Sequence, residues 1–139
     1  MMRQAFGYVA VALMVVLAIG CAGPTAASDA REAANVVRVS LNAIAEAANG
    51  AGDGVEAYCQ LPGADHDLCG RLVDAHDGVT LAVGQARRAV DVFEHVAAET
   101  PAGSLVHDVQ IAAVDAVDRC EALVRALEAA IDQARAALP

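Results

Sequence analysis

The side chains with the most chemical reach in this 139-residue chain lie between Asp65 and Asp77, which reads Asp65-His66-Asp67-Leu68-Cys69-Gly70-Arg71-Leu72-Val73-Asp74-Ala75-His76-Asp77. Imidazole, carboxylate and thiolate are the groups that hold transition metals, and His66, Asp67 and His76 are the foremost candidates here. The same segment matches part of a calcium loop, with Asp65, Asp67, Gly70 and Leu72 at its first, third, sixth and eighth positions. Cys69 stands at the fifth, however, and His76 at the twelfth, where a bidentate glutamate is required. On a helix, Asp65 and His76 share one face, His66 and Asp77 a second, and Asp67 and Asp74 a third. Ligands spread around a cylinder do not converge on one ion. The competing reading is an acidic first turn and a solvated helix face, with His76 a polar residue in an apolar seam. His95 and His107 are symmetric about Pro101, yet both point away from the seam, which argues against a paired site.

Catalytic signals are lacking, and an enzyme is not expected. There is no Gly-x-Ser-x-Gly elbow, no His-Glu-x-x-His and no paired-cysteine redox motif. All nine basic residues are arginine, so Schiff-base chemistry and a P-loop are excluded. With 18 acidic residues the net charge is −9, the aromatic content is 3% and Trp is absent. A nucleic-acid partner, which calls for basic clustering and stacking platforms, is not expected. No cofactor is expected either, haem included, because every Met precedes residue 15 and no attachment motif is present.

Met1 to Gly20 carries one charge, Arg3, and is then uncharged from Ala5 onward. Sixteen residues span only about 24 Å as a helix, short for a bilayer, and the pattern is that of a secretory signal peptide. It ends Leu17-Ala18-Ile19-Gly20-Cys21. This resembles the lipobox of bacterial lipoproteins, with Ala18 where leucine is usual. The resemblance covers the leader and Cys21, and implies cleavage before Cys21, its lipidation, and attachment to the membrane facing the periplasm. Ala22, where an aspartate favours inner-membrane retention, leans the expectation towards the outer membrane. Two other outcomes stay open: cleavage after Thr25-Ala26-Ala27 to give a soluble periplasmic protein, or a retained leader. The expected division is a signal peptide over 1–20, a lipidated tether over 21–27 and a helical domain over 28–139.

From Ser28 on, the apolar period is near 3.5 and predicts an all-α antiparallel three-helix bundle built on a long helical hairpin, or four helices if the connection adds one. Ser28 is read as the first cap, with Asp29 and Glu32 behind it and Asn49-Gly50 as the stop. The glycine-rich stretch 51–63 is then a connection carrying Tyr58, Cys59, Leu61 and Pro62, with a short helical turn across Val55 to Tyr58 left open. A second helix from about Ala64 has the seam Cys69, Leu72, His76, Val79, Val83, Ala86, Val90, Phe93, Ala97. Thr100 to Gly103 breaks it. A third helix, capped by Ser104, has the stripe Val106, Val109, Ala113, Ala116/Val117, Cys120, Leu123/Val124, Leu127, Ala130/Ile131, Ala134 and Leu138. The core is thin: 34 residues of the chain are alanine.

Cys59 and Cys69 are the expected disulfide of an oxidising compartment. Cys69 and Cys120 sit about 22 Å apart along the hairpin, whereas a disulfide tolerates roughly 4.4–6.8 Å between Cα atoms. Cys120 is then a buried, inert thiol. The expected function is a membrane-anchored helical interaction or structural module, like pilotins or immunity proteins in architecture alone, with an envelope protein as partner and Tyr58, Leu61 and Pro62 the first place to look for its groove. A mere end-cap for the bundle is the rival role for those three. The alternative function is periplasmic metal binding at His66, Asp67 and His76. A homodimer sharing the long seam is a third arrangement.

Overall fold

The computed structural model describes residues 26–100 and 102–138. The signal peptide and Cys21 lie outside the described residues, so lipidation is not addressed by the fold. Three helices pack against one another: α1 (Ala26–Cys59), α2 (His66–Glu99) and α3 (Ser104–Ala136). The chain runs up, down and up, and no strand is present among the described residues.

Most of both long seams is buried, and Leu123 is the exception, exposed while its neighbour Val124 turns inward. On α2, Leu72, Val79, Val83, Ala86, Val90, Phe93 and Ala97 are buried, with Cys69 and His76 half-buried at one end. On α3, the buried line runs from Val106 through Cys120 to Ala134, while Leu123 is 45% exposed. The largest fully enclosed side chains are Tyr58, Phe93, Leu41, Val79, Val90 and Cys120. Much of the remaining core is alanine, and small side chains let helix axes approach at the expense of buried area per residue.

The first helix departs most from expectation. It does not stop at Asn49-Gly50 but continues through Gly50, Gly52 and Gly54 to Cys59, so the three helices have 34, 34 and 33 residues. Mid-helix glycine costs roughly 1 kcal/mol relative to alanine. Tertiary contact bears on one of the three. A Cβ on Gly52 would stand 2.5 Å from Nε2 of His76, so that imidazole would have to move, whereas one on Gly54 would meet Cδ1 of Ile131 at 3.4 Å, an ordinary contact, and one on Gly50 would meet nothing within 4 Å. Val55 and Tyr58, on the extended part, are buried and hold it against the other two helices.

Two caps also fall differently. The helix already includes Ala26 and Ala27, so Ser28 lies within its first turn, and its hydroxyl donates to Asp29 at 3.4 Å. Ser104 is the first residue of α3, and Gly103 precedes it at φ +117°, a region open to glycine. The α1–α2 connection shrinks to residues 60–65. There the Ala64 N–H donates to the Leu61 carbonyl at 3.1 Å around Pro62-Gly63, with Gly63 at φ +89° as a type II turn requires.

Arginines tie the helices together at their edges. Arg38 on α1 donates through Nε and Nη2 to both oxygens of Glu94 on α2, at 2.8 and 2.6 Å, and through Nη2 to Asp91. Those bonds, Glu94 first and Asp91 second, push the guanidinium further above its already high value. A two-pronged pair fixes direction as well as proximity, and so sets the register of α1 on α2. Arg31 donates to the Ala98 carbonyl at 3.2 Å, placing positive charge at the C-terminal end of α2. On α3, Arg125 pairs with Glu121, whereas Arg119 turns to the Asp115 carbonyl instead of its carboxylate.

Candidate functional site

The residues singled out for chemistry gather at one end of the bundle, where α1 ends and α2 begins. Cys59 and Cys69 stand at disulfide distance, with their Cα atoms 5.6 Å apart. Next to them Tyr58, 2% exposed, closes the core, and its hydroxyl oxygen accepts from the Asp65 N–H at 3.4 Å. Asp65 is the N-cap of α2, its carboxylate accepting from the Leu68 N–H at 2.9 Å. This end is a latch: an aromatic plug, a cysteine pair and a capped helix start within a dozen residues of chain.

The structure places the metal candidates without bringing them together. Asp65 is engaged in capping, which accounts for the first position of the apparent calcium loop structurally. His66 and Asp67 are exposed in the first turn of α2, and Asp67 there is favoured by the helix dipole. His76 lies half-buried against Gly52, ten residues and so about 15 Å further along the axis from His66. Among the described residues no group of three His, Cys, Asp or Glu side chains could hold a metal ion. His95 pairs with Glu99 at 3.4 Å and is exposed, as is His107.

Tyr58 is not available as a docking aromatic. It faces inward, leaving Leu61, 41% exposed, and Pro62 as the accessible pair on the connection. The expectation differs because it takes residues 51–63 as a connection with at most a short helical turn at Val55 to Tyr58, where the structure continues α1. The signal that could have found it is the apolar series Ala48, Ala51, Val55, Tyr58, which keeps helical spacing across the glycines.

Cys120 is fully enclosed on α3, and burial pushes its thiol up, away from the reactive thiolate. With the native protein at mildly alkaline pH, iodoacetamide is expected to leave Cys120 unmodified over the time that labels a free thiol. In urea one alkyl group should appear, read by intact mass. Rapid labelling of the folded chain at Cys120 would contradict its enclosure.

Asp118 is the one carboxyl here with a raised pKa. Partial burial is the main cause, followed by the charges of Glu121 and Asp115. The native state therefore holds this proton more tightly than the unfolded chain, and stability falls as pH rises through that interval. Asp118→Asn is expected to raise the melting temperature at pH 7, by an effect within about 0.5 kcal/mol for so exposed a site, and to leave it unchanged at pH 3. An equal shift at both values would rule out titration as its source.

No known protein family, curated protein or solved structure matches the chain. Among the described residues no helix is long and apolar enough to cross a membrane.

Proposed function

We propose that the chain is a lipid-anchored protein of the bacterial envelope, held in the membrane through Cys21, whose helical domain serves as an interaction or structural module for another envelope protein. The observation that carries this reading is the leader ending Leu17-Ala18-Ile19-Gly20-Cys21, followed almost at once by a helical domain. The cysteine pair at the latch agrees with an oxidising compartment.

Intact mass of detergent-extracted protein, taken without reductant, tests the anchor. The expected mass begins at Cys21, carries diacylglyceryl and acyl additions, and is two hydrogens short. An unmodified chain starting near Ser28 would overturn the anchoring. Partner capture from envelope extracts should use Leu61→Asp as the disabling variant, because Leu61 is exposed. Tyr58→Ala would unseat the core and confuse lost binding with lost folding.

A further inference from the structure

Helices α2 and α3 carry the same stripe. From Asp67 to Gln85 the chain reads Asp-x3-Arg-x3-Ala-x2-Gly-x3-Ala-x2-Gln, and from Asp115 to Gln133 it reads Asp-x3-Arg-x3-Leu-x2-Ala-x3-Ala-x2-Gln. Steps of three and four keep each stripe on one line along its helix. The middles of the two lines meet in an apolar groove of about 300 Å³ between α2 and α3, which has no α1 residue in its walls. Gly78 and Leu123 both line it, at about the same height in the antiparallel hairpin.

Nothing within the chain requires glycine at 78. A Cβ there would meet no atom within 4 Å, unlike at Gly52 or Gly54. Opposite this open floor, Leu123 projects 45% exposed. The face thus holds both a knob and a hole at one level.

We propose that this face joins two copies of the chain about a two-fold axis parallel to the helices, with α3 of each copy lying against α2 of the other. Such an axis preserves height and exchanges the helices, so each Leu123 is seated over Gly78 of the second copy. Both contacts form at once, as an isologous interface demands. The two hairpins make an all-antiparallel four-helix arrangement with α1 of each copy outside it. The two stripes together span roughly 33 Å along the axis and roughly 16 Å across, about 530 Å² on each copy, which places the contact at the low end for a specific interface.

Charge favours this face for self-association. The chain as a whole is at −9, so most pairings of its surfaces repel. The two stripes carry two Asp and two Arg and balance to zero, with the charges at the ends and the apolar residues between them. Gln85 and Gln133, able to donate and accept, come opposite the Asp–Arg ends of the second copy. An axis along the helices also leaves both α1 N-termini at the same end, as two anchors in one membrane require; that last point rests on the lipoprotein reading.

The test uses full-length protein extracted in detergent, its processing read by intact mass and its assembly by sedimentation over a range of micromolar concentrations. The wild type is expected at twice the chain mass. Leu123→Glu and Gly78→Leu, each at an exposed position, should sediment as monomers with undiminished helical circular dichroism. Chains bearing Gly78→Cys mixed with chains bearing Leu123→Cys should cross-link on mild oxidation more than either alone. A monomer throughout the range, a dimer indifferent to both substitutions, or a monomer bound to a different protein would overturn the proposal. A dimer without lipid in the mass would support the interface while removing the anchor.

Discussion

Phe93→Ala is expected to cost about 3–5 kcal/mol, enough to bring the domain close to unfolding at ambient temperature. Phe93 is fully enclosed near the C-terminal end of the α2 seam, in a core whose commonest residue is alanine. Among the described residues only Tyr58 matches it as a buried aromatic. Removing the ring forfeits its transfer energy and leaves a cavity. Phe93→Leu keeps most of the volume and should lose less than about 1.5 kcal/mol. Urea unfolding followed by helical circular dichroism separates the two through their midpoints. Equal midpoints for Phe93→Ala and wild type would mean that the ring is not a core element.

What made Phe93 legible was periodicity. The seams of α2 and α3 could be read residue by residue because a heptad stripe depends only on chain-local spacing, and the same spacing predicted an all-α hairpin. Cys59 and Cys69 were legible for a related reason: the hairpin's length put Cys120 out of reach, leaving the local pair. The end of α1 was not legible. Gly50, Gly52 and Gly54 weaken a helix locally, and local propensity says stop. What overrides it is non-local, namely the burial of Val55 and Tyr58 beyond the glycines against the other two helices. Ser28 and Ser104 show the smaller form of the same limit, since a serine in the first turn of a helix looks identical in sequence to one just outside it. The Asp/His cluster was read two ways, and the distinction turned on Asp65: a carboxylate that caps a helix and one that opens a metal loop have the same sequence signature until its hydrogen-bond partner is seen.

The arginine clasp and the latch divide the work of holding α1. Arg38 fixes its register on α2 from the side, with Asp91 and Glu94 far along that helix from Cys69. The latch fixes its last turn. These attachments lie some two dozen residues apart on α2, so they should fail independently; sites so far apart with no shared partner act nearly additively.

Cys59→Ser with Cys69→Ser is therefore expected to lower stability by about 2–3 kcal/mol, the loop-closure value for so short a ring. The pair closes a sequence separation of 10 residues. The loss should be felt in two places. In the unfolded state a constraint disappears, the chain expands, and the denaturant slope should steepen slightly. In the native state the α1–α2 connection keeps its turn at Pro62-Gly63 and the Asp65 cap, but the end of α1 is then held chiefly by Tyr58 and Val55. Amide exchange from Val55 to Cys59 and over the first turn of α2 should accelerate more than it does around Val90 and Phe93, whose protection follows global unfolding. Adding reductant to the wild type should reproduce the same shift, since Cys120 is enclosed and contributes no competing thiol chemistry. A wild-type midpoint unmoved by reductant would mean that the latch rests on Tyr58 packing alone, and the double-serine variant would then be as stable as the parent.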